Sequence, residues 1–349
     1  MHFSFSGTQN ILLYSGDDHD KLKEKTDWYL PSKKFKIDAV IDNNKSYDMI
    51  LITNFRQLID WYIIKNIYKT KIIDPSFYGP VETSNWNSLH FSTLYNEEKV
   101  ELLNLYKTNF TKLKDQYTSC KKSSIFLSGP SIEQYKQFDF SDSLNIICNS
   151  IVRDKALLEY IKPDIVVFAD PVFHFSHNEY AQQFREDMIN CVNTYHCYVI
   201  VPDFVAPMLL EHYPEIKDFI IAFPFKNAIN FPSQKDFYVK GTNNILTLLM
   251  LPLASSLTDE IYIIGADGRK KEENYFWKHN SNVQYDDFMQ KAFDAHPSFF
   301  RDQHYDNYYE EHCIMLGKYF IYGEERNKNY FSLTHSYIPA LITRFKGNI

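Results

Sequence analysis

Short apolar runs bounded by turn residues alternate along this chain with longer stretches of helical period, which predicts parallel β-sheets crossed over by helices. In the first part, residues 10–14 and 36–41 read as strands, 48–52 as a third, 55–68 as a helix, and 71–73 as a further strand before Asp74-Pro75. A polar helix is expected over about 97–117. It ends at the step Lys121-Lys122-Ser123, where the domain boundary is placed, giving units 1–120 and 121–349. The second unit repeats the pattern more strongly, with strands expected at 124–127, 145–148, 164–168, 198–201, 260–264 and 330–333. Residues 241–257 are apolar over most of a helical circumference, and Pro252 inside them predicts a kink or an early end. The expected fold is α/β, two Rossmann-like domains in series with a cleft between them. Its ligand is expected at the carboxyl ends of the second sheet.

Composition narrows the partners. A chain of 349 residues is long for one core and favours two domains. The 26 Tyr and 28 Phe either line sugar-stacking surfaces or fill bulky cores, the second being the commoner use. A net charge of −7 leaves no basic field for nucleic acid. The amino terminus has no charged region followed by an apolar core, and nowhere do eighteen apolar residues run together. A cytoplasmic protein is expected, touching the inner membrane at most peripherally. Cys120, Cys148, Cys191, Cys197 and Cys313 are scattered and odd in number, which suggests reduced thiols. Cys191 and Cys197 flank His196, but the remaining ligands of a zinc site are missing.

The candidate chemistry begins at residues 123–131, where an apolar run ends in Ser128-Gly129-Pro130-Ser131 and a helix-like segment follows. Gly129 would let a ligand approach the backbone. Pro130 suits a first helical turn, and Ser131 would cap the amides of the helix start, which suit a phosphate. The alternative is plain strand-to-helix punctuation.

Four segments in order resemble the bacterial lipooligosaccharide sialyltransferases that use CMP-sialic acid, a group related to motility-associated flagellin glycosyltransferases and retaining β-Kdo transferases. They are Ser128-Gly129-Pro130-Ser131, Ile147-Cys148-Asn149-Ser150, Phe168-Ala169-Asp170-Pro171, and Gly241-Thr242-Asn243 with its helix and Ile263-Ile264-Gly265-Ala266-Asp267. The resemblance spans roughly residues 123–345 and implies a GT-B-like arrangement with a carboxyl-terminal domain of bacterial sialyltransferase type. It implies that Gly129, Pro130, Ser131 and Asn149 hold CMP, with Asp267 in the Gly-x-Asp turn. Thr242 and Asn243 after Gly241 would hold the sugar carboxylate, and Arg269 and Tyr275 the leaving phosphate, in places where the family has two tyrosines. Arg269 could make two parallel hydrogen bonds to that phosphate, or it could be a solvated arginine in the basic turn Arg269-Lys270-Lys271.

The main departure from the sialyltransferase pattern is Asp170, where that group has asparagine. A carboxylate there could trap the anomeric carbon, as a retaining double displacement requires, or it could cap the segment after Pro171. The resemblance favours His304 as the base for an acceptor hydroxyl, and it sets His335 and Ser336 at the nucleotide. His279, His296 and His312 are further histidines of the same third. Asp18-His19-Asp20 matches the D-x-D pattern of metal-dependent transferases, but a monophosphate leaving group needs no such clamp. Neither metal nor cofactor is therefore expected.

The expected function is transfer of an acidic ulosonic sugar, Kdo favoured, from its CMP donor to a bacterial surface glycan or glycolipid such as lipopolysaccharide or capsule. The alternatives are an inverting CMP-sialic acid sialyltransferase, a pterin diphosphokinase-like phosphotransferase needing Mg²⁺, and a non-catalytic nucleotide-binding module.

Overall fold

The computed structural model describes residues 9–14, 19–31, 35–38, 40–52, 55–72, 82–269, 285–295 and 305–347. Strands β1 (Gln9–Tyr14), β2 (Phe35–Asp38), β3 (Met49–Ile52) and β4 (Thr70–Ile72) form a parallel sheet in the order β2-β1-β3-β4. Strand periodicity sorts its apolar residues onto two faces. Ile11, Leu13, Met49 and Leu51 pack on one with Tyr29 and Trp86, while Leu12, Ile50 and Ile52 pack on the other with Tyr47 and Ile63. Tyr29 comes from helix α1 (His19–Tyr29). The helix expected over 55–68 is instead three short pieces: a 3-10 turn Phe55–Ile59, helix α2 (Trp61–Lys65) and a 3-10 turn Ile67–Lys69. Asp60 makes the break, because its carboxylate accepts from the Tyr62 amide at 2.8 Å and restarts the helix as an N-cap.

Two helices follow, α3 (Glu82–Thr93), which carries Trp86, and α4 (Asn96–Gln116). The buried face of α4, Tyr106, Asn109, Phe110 and Leu113, packs in the core of the second sheet. Asn109 fastens it there, its amide donating to the Lys217 and Ile220 carbonyls at 2.9 Å each. The helix expected with residues 1–120 thus rests on the carboxyl-terminal sheet.

That sheet has seven strands, all parallel: β5 (Lys122–Phe126), β6 (Ser143–Cys148), β7 (Ile165–Val167), β8 (Tyr198–Pro202), β9 (Ile220–Phe223), β12 (Glu260–Ile264) and β13 (Asn329–Ser332). A two-residue pair, β10 (Phe225–Lys226) and β11 (Val239–Lys240), lies outside it. Strand order is β13-β12-β5-β6-β7-β8-β9. Strand β9 was not expected from sequence; its Ile-Ile-Ala-Phe run is a short, fully buried stretch, as an all-parallel sheet covered on both faces requires. Phe126, Phe168, Phe175, Phe184 and Phe223 are fully buried, so much of the aromatic content fills this core.

Pro252 neither stops nor simply kinks its helix. A π-type turn over Leu246–Met250 leads into helix Leu251–Leu257, and the Leu251 amide reaches back to the Leu246 carbonyl. Proline has no N–H for the carbonyl four residues earlier and its ring crowds that oxygen, and the wider turn accommodates both.

Trp28 of α1 joins the two sheets. Its indole stacks on His212 with ring centroids 3.8 Å apart, lies 4.2 Å from the Arg185 guanidinium, and donates to the Phe175 carbonyl at 3.1 Å.

Candidate functional site

The seven-stranded sheet runs outward from β5 through β9 and then returns to place β12 on the other side of β5. The chain therefore reverses direction between β5 and β12, and the carboxyl ends of these strands form the crevice where open α/β sheets bind ligands. Along this rim the sequence-selected residues lie in spatial order: Thr334, His335 and Ser336 after β13, Gly265 to Arg269 after β12, Gly129 to Ser131 after β5, Asn149 after β6, and Asp170 after β7.

Two turns interlock at the reversal. The Leu127 amide donates to the Ile264 carbonyl at 2.9 Å and the Gly129 amide to the Gly265 carbonyl at 3.0 Å. A methyl group on Gly129 would stand 2.4 Å from the Gly265 carbonyl oxygen, and one on Gly265 would stand 2.0 Å from the Leu127 oxygen. Gly265 also has a φ of +78°. Both glycines are demanded by backbone approach and one by its dihedral as well.

Pro130 opens the 3-10 helix Pro130–Gln137 with Gly129 as its N-cap, the punctuation expected from sequence. The amide expected to face a phosphate is taken by Asp267. Ser131 donates to that carboxylate from its backbone N at 3.2 Å and from Oγ at 2.9 Å, and its Oγ also meets Thr334 Oγ1 at 2.8 Å. Burial raises the Asp267 pKa against the lowering effect of the Ser131 bonds. This corner therefore presents an acceptor, suited to hydroxyl or amine donors, and not the bare amides of an anion cradle.

Ser336 belongs to the same lock. Its Oγ donates to the Ala266 carbonyl, and the neighbouring Tyr337 amide donates to the Asp267 carbonyl at 2.7 Å. His335 is exposed and stacks on Phe345 with centroids 4.0 Å apart.

Asn149 lies immediately after β6 with a φ of +51°, in the left-handed region that asparagine adopts more readily than most side chains. Its Oδ1 is buried and has no hydrogen-bond partner among the described residues. The rim thus carries a half-buried side-chain acceptor that the described residues do not satisfy.

Asp170 follows β7. Its Oδ1 accepts from the Val172 amide at 2.8 Å and the Phe173 amide at 2.9 Å, so it does cap the turn after Pro171. Among the described residues its Oδ2 makes no hydrogen bond. Burial pushes its pKa up to about 6, opposed by those two amides, although part of its surface still reaches solvent. The backbone N of Asp170 donates to His174 Nδ1 at 3.0 Å, which fixes the proton of that imidazole on Nε2. Burial, with Arg185 nearby, lowers the His174 pKa to about 3 and keeps the ring neutral. Arg185 is itself almost fully buried and donates from Nη1 to the His174 and Ser176 carbonyls at 2.9 Å each, bracing the loop that carries Asp170.

Sequence reasoning missed His174 and Arg185. The available signal was a histidine four residues after Asp170 and a lone arginine on the apolar face of the helix Glu179–Tyr195. Tyr180 was missed too; burial raises its pKa, and the nearby Asp170 charge acts in the same direction.

Arg269 is 9% exposed, so it is not the solvated arginine that was the alternative. Its guanidinium carbon stands 5.0 Å from the Tyr309 ring, and its backbone N donates to the Tyr309 hydroxyl at 3.2 Å. Strand spacing puts the carboxyl ends of β7 and β12, three strand positions apart, roughly 14 Å from each other.

The Gly241 segment differs from expectation in detail. Gly241 has room for a side chain, the nearest atom to an added methyl being 3.8 Å away. Thr242 Oγ1 meets Thr247 Oγ1 at 3.0 Å, and Asn243 donates to Glu311 at 3.1 Å, so a ligand carboxylate would have to displace that glutamate. Asn244 is the residue that caps the following helix, accepting from the Leu246 amide at 3.0 Å.

Tyr275, His279, His296 and His304 lie outside the described residues, as does Asp18 of the Asp18-His19-Asp20 triplet. His312 is buried, and desolvation lowers its pKa to about 4. Among the described residues, no helix is long and apolar enough to cross a membrane.

No protein family matches the chain, and no curated protein does. Among solved structures, it is similar to the monofunctional α-2,3-sialyltransferase Cst-I from Campylobacter jejuni, at 17% identity and a TM-score of 0.40, over 66% of this chain and 81% of that one.

Proposed function

We propose that this protein is a glycosyltransferase that moves an acidic ulosonic sugar from its CMP ester to a bacterial glycan or glycolipid, with Kdo the first donor to test. The single observation that carries the reading is Asp170. Its Oδ1 is anchored by two amides and its Oδ2 is unbonded among the described residues, at the rim of a parallel sheet. With a pKa of about 6, about nine-tenths of it is ionised at neutral pH, as a nucleophile must be.

In the retaining course Asp170 Oδ2 attacks the anomeric carbon, the bond from that carbon to the phosphate oxygen breaks, and CMP departs. The acceptor oxygen then attacks the same carbon, the aspartyl ester breaks, and the hydroxyl proton passes to a base, for which His304 is the candidate. Asn149 Oδ1 would accept from the cytosine amine or a ribose hydroxyl, and Asp267 from a second ribose hydroxyl, with Gly129, Pro130 and Ser131 lining the approach. Arg269, with Tyr275, would offset the charge of the departing phosphate, and His335 and Ser336 would close the nucleotide side. Thr242 and Asn243 would meet the sugar carboxylate. The first sheet would supply the acceptor side of a GT-B-like arrangement.

A second reading has one observation in its favour. The two bonds to Asp170 Oδ1 are those an asparagine would make equally well, which suits direct, inverting transfer in which Asp170 only positions its loop.

The test is CMP release from purified protein given CMP-Kdo or CMP-sialic acid in EDTA. Release from either donor without metal supports the transferase and names the sugar. An absolute Mg²⁺ requirement with a nucleoside triphosphate would move the assignment to phosphotransfer, and tight CMP binding without turnover of either donor would move it to a binding module. Loss of turnover in Asp170→Asn supports the adduct, while retained turnover selects the inverting course.

A further inference from the structure

The crossover between β3 and β4 has two apolar faces. Inward, Leu58, Tyr62 and Ile63 pack on the first sheet. Outward, Ile59, Trp61, Ile67 and Tyr68 each expose between 53% and 83% of their surface, and Ile64 exposes 46%. These ten positions, 59–68, hold five of the fourteen large hydrophobics that are exposed among the described residues. Scattered single exposures are ordinary, but this concentration is not.

The charge around the face is opposite in sign to the rest of the chain. Residues 55–72 carry Arg56, Lys65, Lys69 and Lys71 against the one carboxylate Asp60, a net of +3 in a chain whose net is −7. Asp60 is directed inward, accepting from the Tyr62 amide and the Tyr14 hydroxyl at 2.8 Å each. Lys65, which is exposed, holds its ammonium 5.0 Å from the Trp61 ring centroid; the half-buried Lys69 lies 5.5 Å from that of Tyr68 and donates to the Tyr47 carbonyl at 2.7 Å. Isoleucine side chains for the acyl boundary, Trp and Tyr at the headgroup level, and lysines beside the rings form the composition of a surface that lies in a bilayer interface.

We propose that the outward face of residues 56–71 docks this protein on an anionic lipid bilayer. The partner is the bilayer surface itself, read by its negative headgroups and its apolar boundary, and the proposal does not depend on the glycosyltransferase reading. At physiological salt the Debye length is about 8 Å, so carboxylates farther than that from the face add little repulsion.

Flotation of the full chain with vesicles of phosphatidylcholine alone, or of phosphatidylcholine with phosphatidylglycerol, tests this. Binding is expected to the anionic vesicles and to weaken in high salt. Lys65→Ala should lower the partition coefficient about fivefold. Trp61→Glu should lower it by more than about tenfold, and Ile314→Glu, on an exposed site of another helix, should leave it unchanged. Should Trp61→Glu fail to fold by circular dichroism, Lys65→Ala and the salt dependence carry the same test. Absence of binding to anionic vesicles, or equal binding to both kinds, overturns the proposal. So does light scattering that shows a dimer which Trp61→Glu separates while vesicles remain unbound, because the face then belongs to a second copy of the chain.

Discussion

Replacing Gly265 with alanine should be far more damaging than the same change at Gly241, and the contrast follows from backbone geometry alone. Gly265 holds a φ of +78°, where an L-residue costs roughly 1–2 kcal/mol. Its new methyl would lie 2.0 Å from the Leu127 oxygen and 2.9 Å from the Leu127 carbonyl carbon, both backbone atoms at the end of β5 that cannot rotate away. Relief requires the β12 turn to move off the β5 turn, a strain of about 1–3 kcal/mol. It also weakens the bonds from Leu127 N and Gly129 N, each worth about 1 kcal/mol. With about half of each bond lost the total is about 3–6 kcal/mol, and the Ser131–Asp267 contact is displaced as well. Gly241 has no atom within 3.8 Å of an added methyl, so its alanine variant should stay within about 0.5 kcal/mol of the parent. Urea unfolding followed by tryptophan fluorescence and circular dichroism would give both midpoints, and CMP titration would read the site. A Gly265→Ala variant within about 1 kcal/mol of the parent, or a Gly241→Ala variant equally destabilised, would refute the reasoning.

Three further outcomes are expected. Because the Asp170 pKa is raised from 3.8 to about 6, its carboxyl favours the fold when protonated. That contribution is complete below about pH 4 and is lost as pH rises through 6, so Asp170→Asn, which keeps the cap, should gain stability over wild type between pH 4 and 7, by up to about 2 kcal/mol after allowing for its partial exposure; a gap independent of pH in thermal melts would contradict this. Asn149→Gly keeps a positive φ that glycine adopts freely and removes the orphaned Oδ1, so it should change stability little while weakening CMP binding about tenfold in calorimetry; unchanged CMP affinity would take Asn149 out of the site. Arg185→Leu strands the His174 and Ser176 carbonyls and should cost about 3–5 kcal/mol, and Arg185→Lys should recover only part of this because one ammonium cannot reproduce the fork that also reaches the Tyr213 hydroxyl; full recovery by lysine in the melting temperature would disprove the bracing role.

Most strands of both sheets were legible from the chain alone. In a parallel sheet each strand is a short apolar run with turn chemistry at its carboxyl end, and both signals are local. The rim positions of Gly129, Asn149, Asp170 and Asp267 were legible for the same reason, since each follows directly on such a run. Where Asp60 interrupts the crossover helix, and where a π-type turn absorbs Pro252, the outcome depended on a competition between a local hydrogen bond and helix continuation that period alone does not resolve.

The amino-acid sequence by itself determined the alternation of strand and helix, the glycines at the β5 and β12 turns, and the chemical identity of the rim. Only the tertiary structure decided what those groups face. Ser131 and Asp267 are 136 residues apart in the chain, yet their contact converts an expected anion cradle into an acceptor corner. Burial, which no local pattern encodes, lifts the Asp170 pKa and keeps His174 neutral. The packing of α4 on the far sheet likewise depends on Asn109 finding two carbonyls more than a hundred residues away. Strand order supplies the common physical reason: hydrogen bonding between β5 and β12 brings together segments that the sequence keeps apart, and electrostatics at a site follow from which segments meet there.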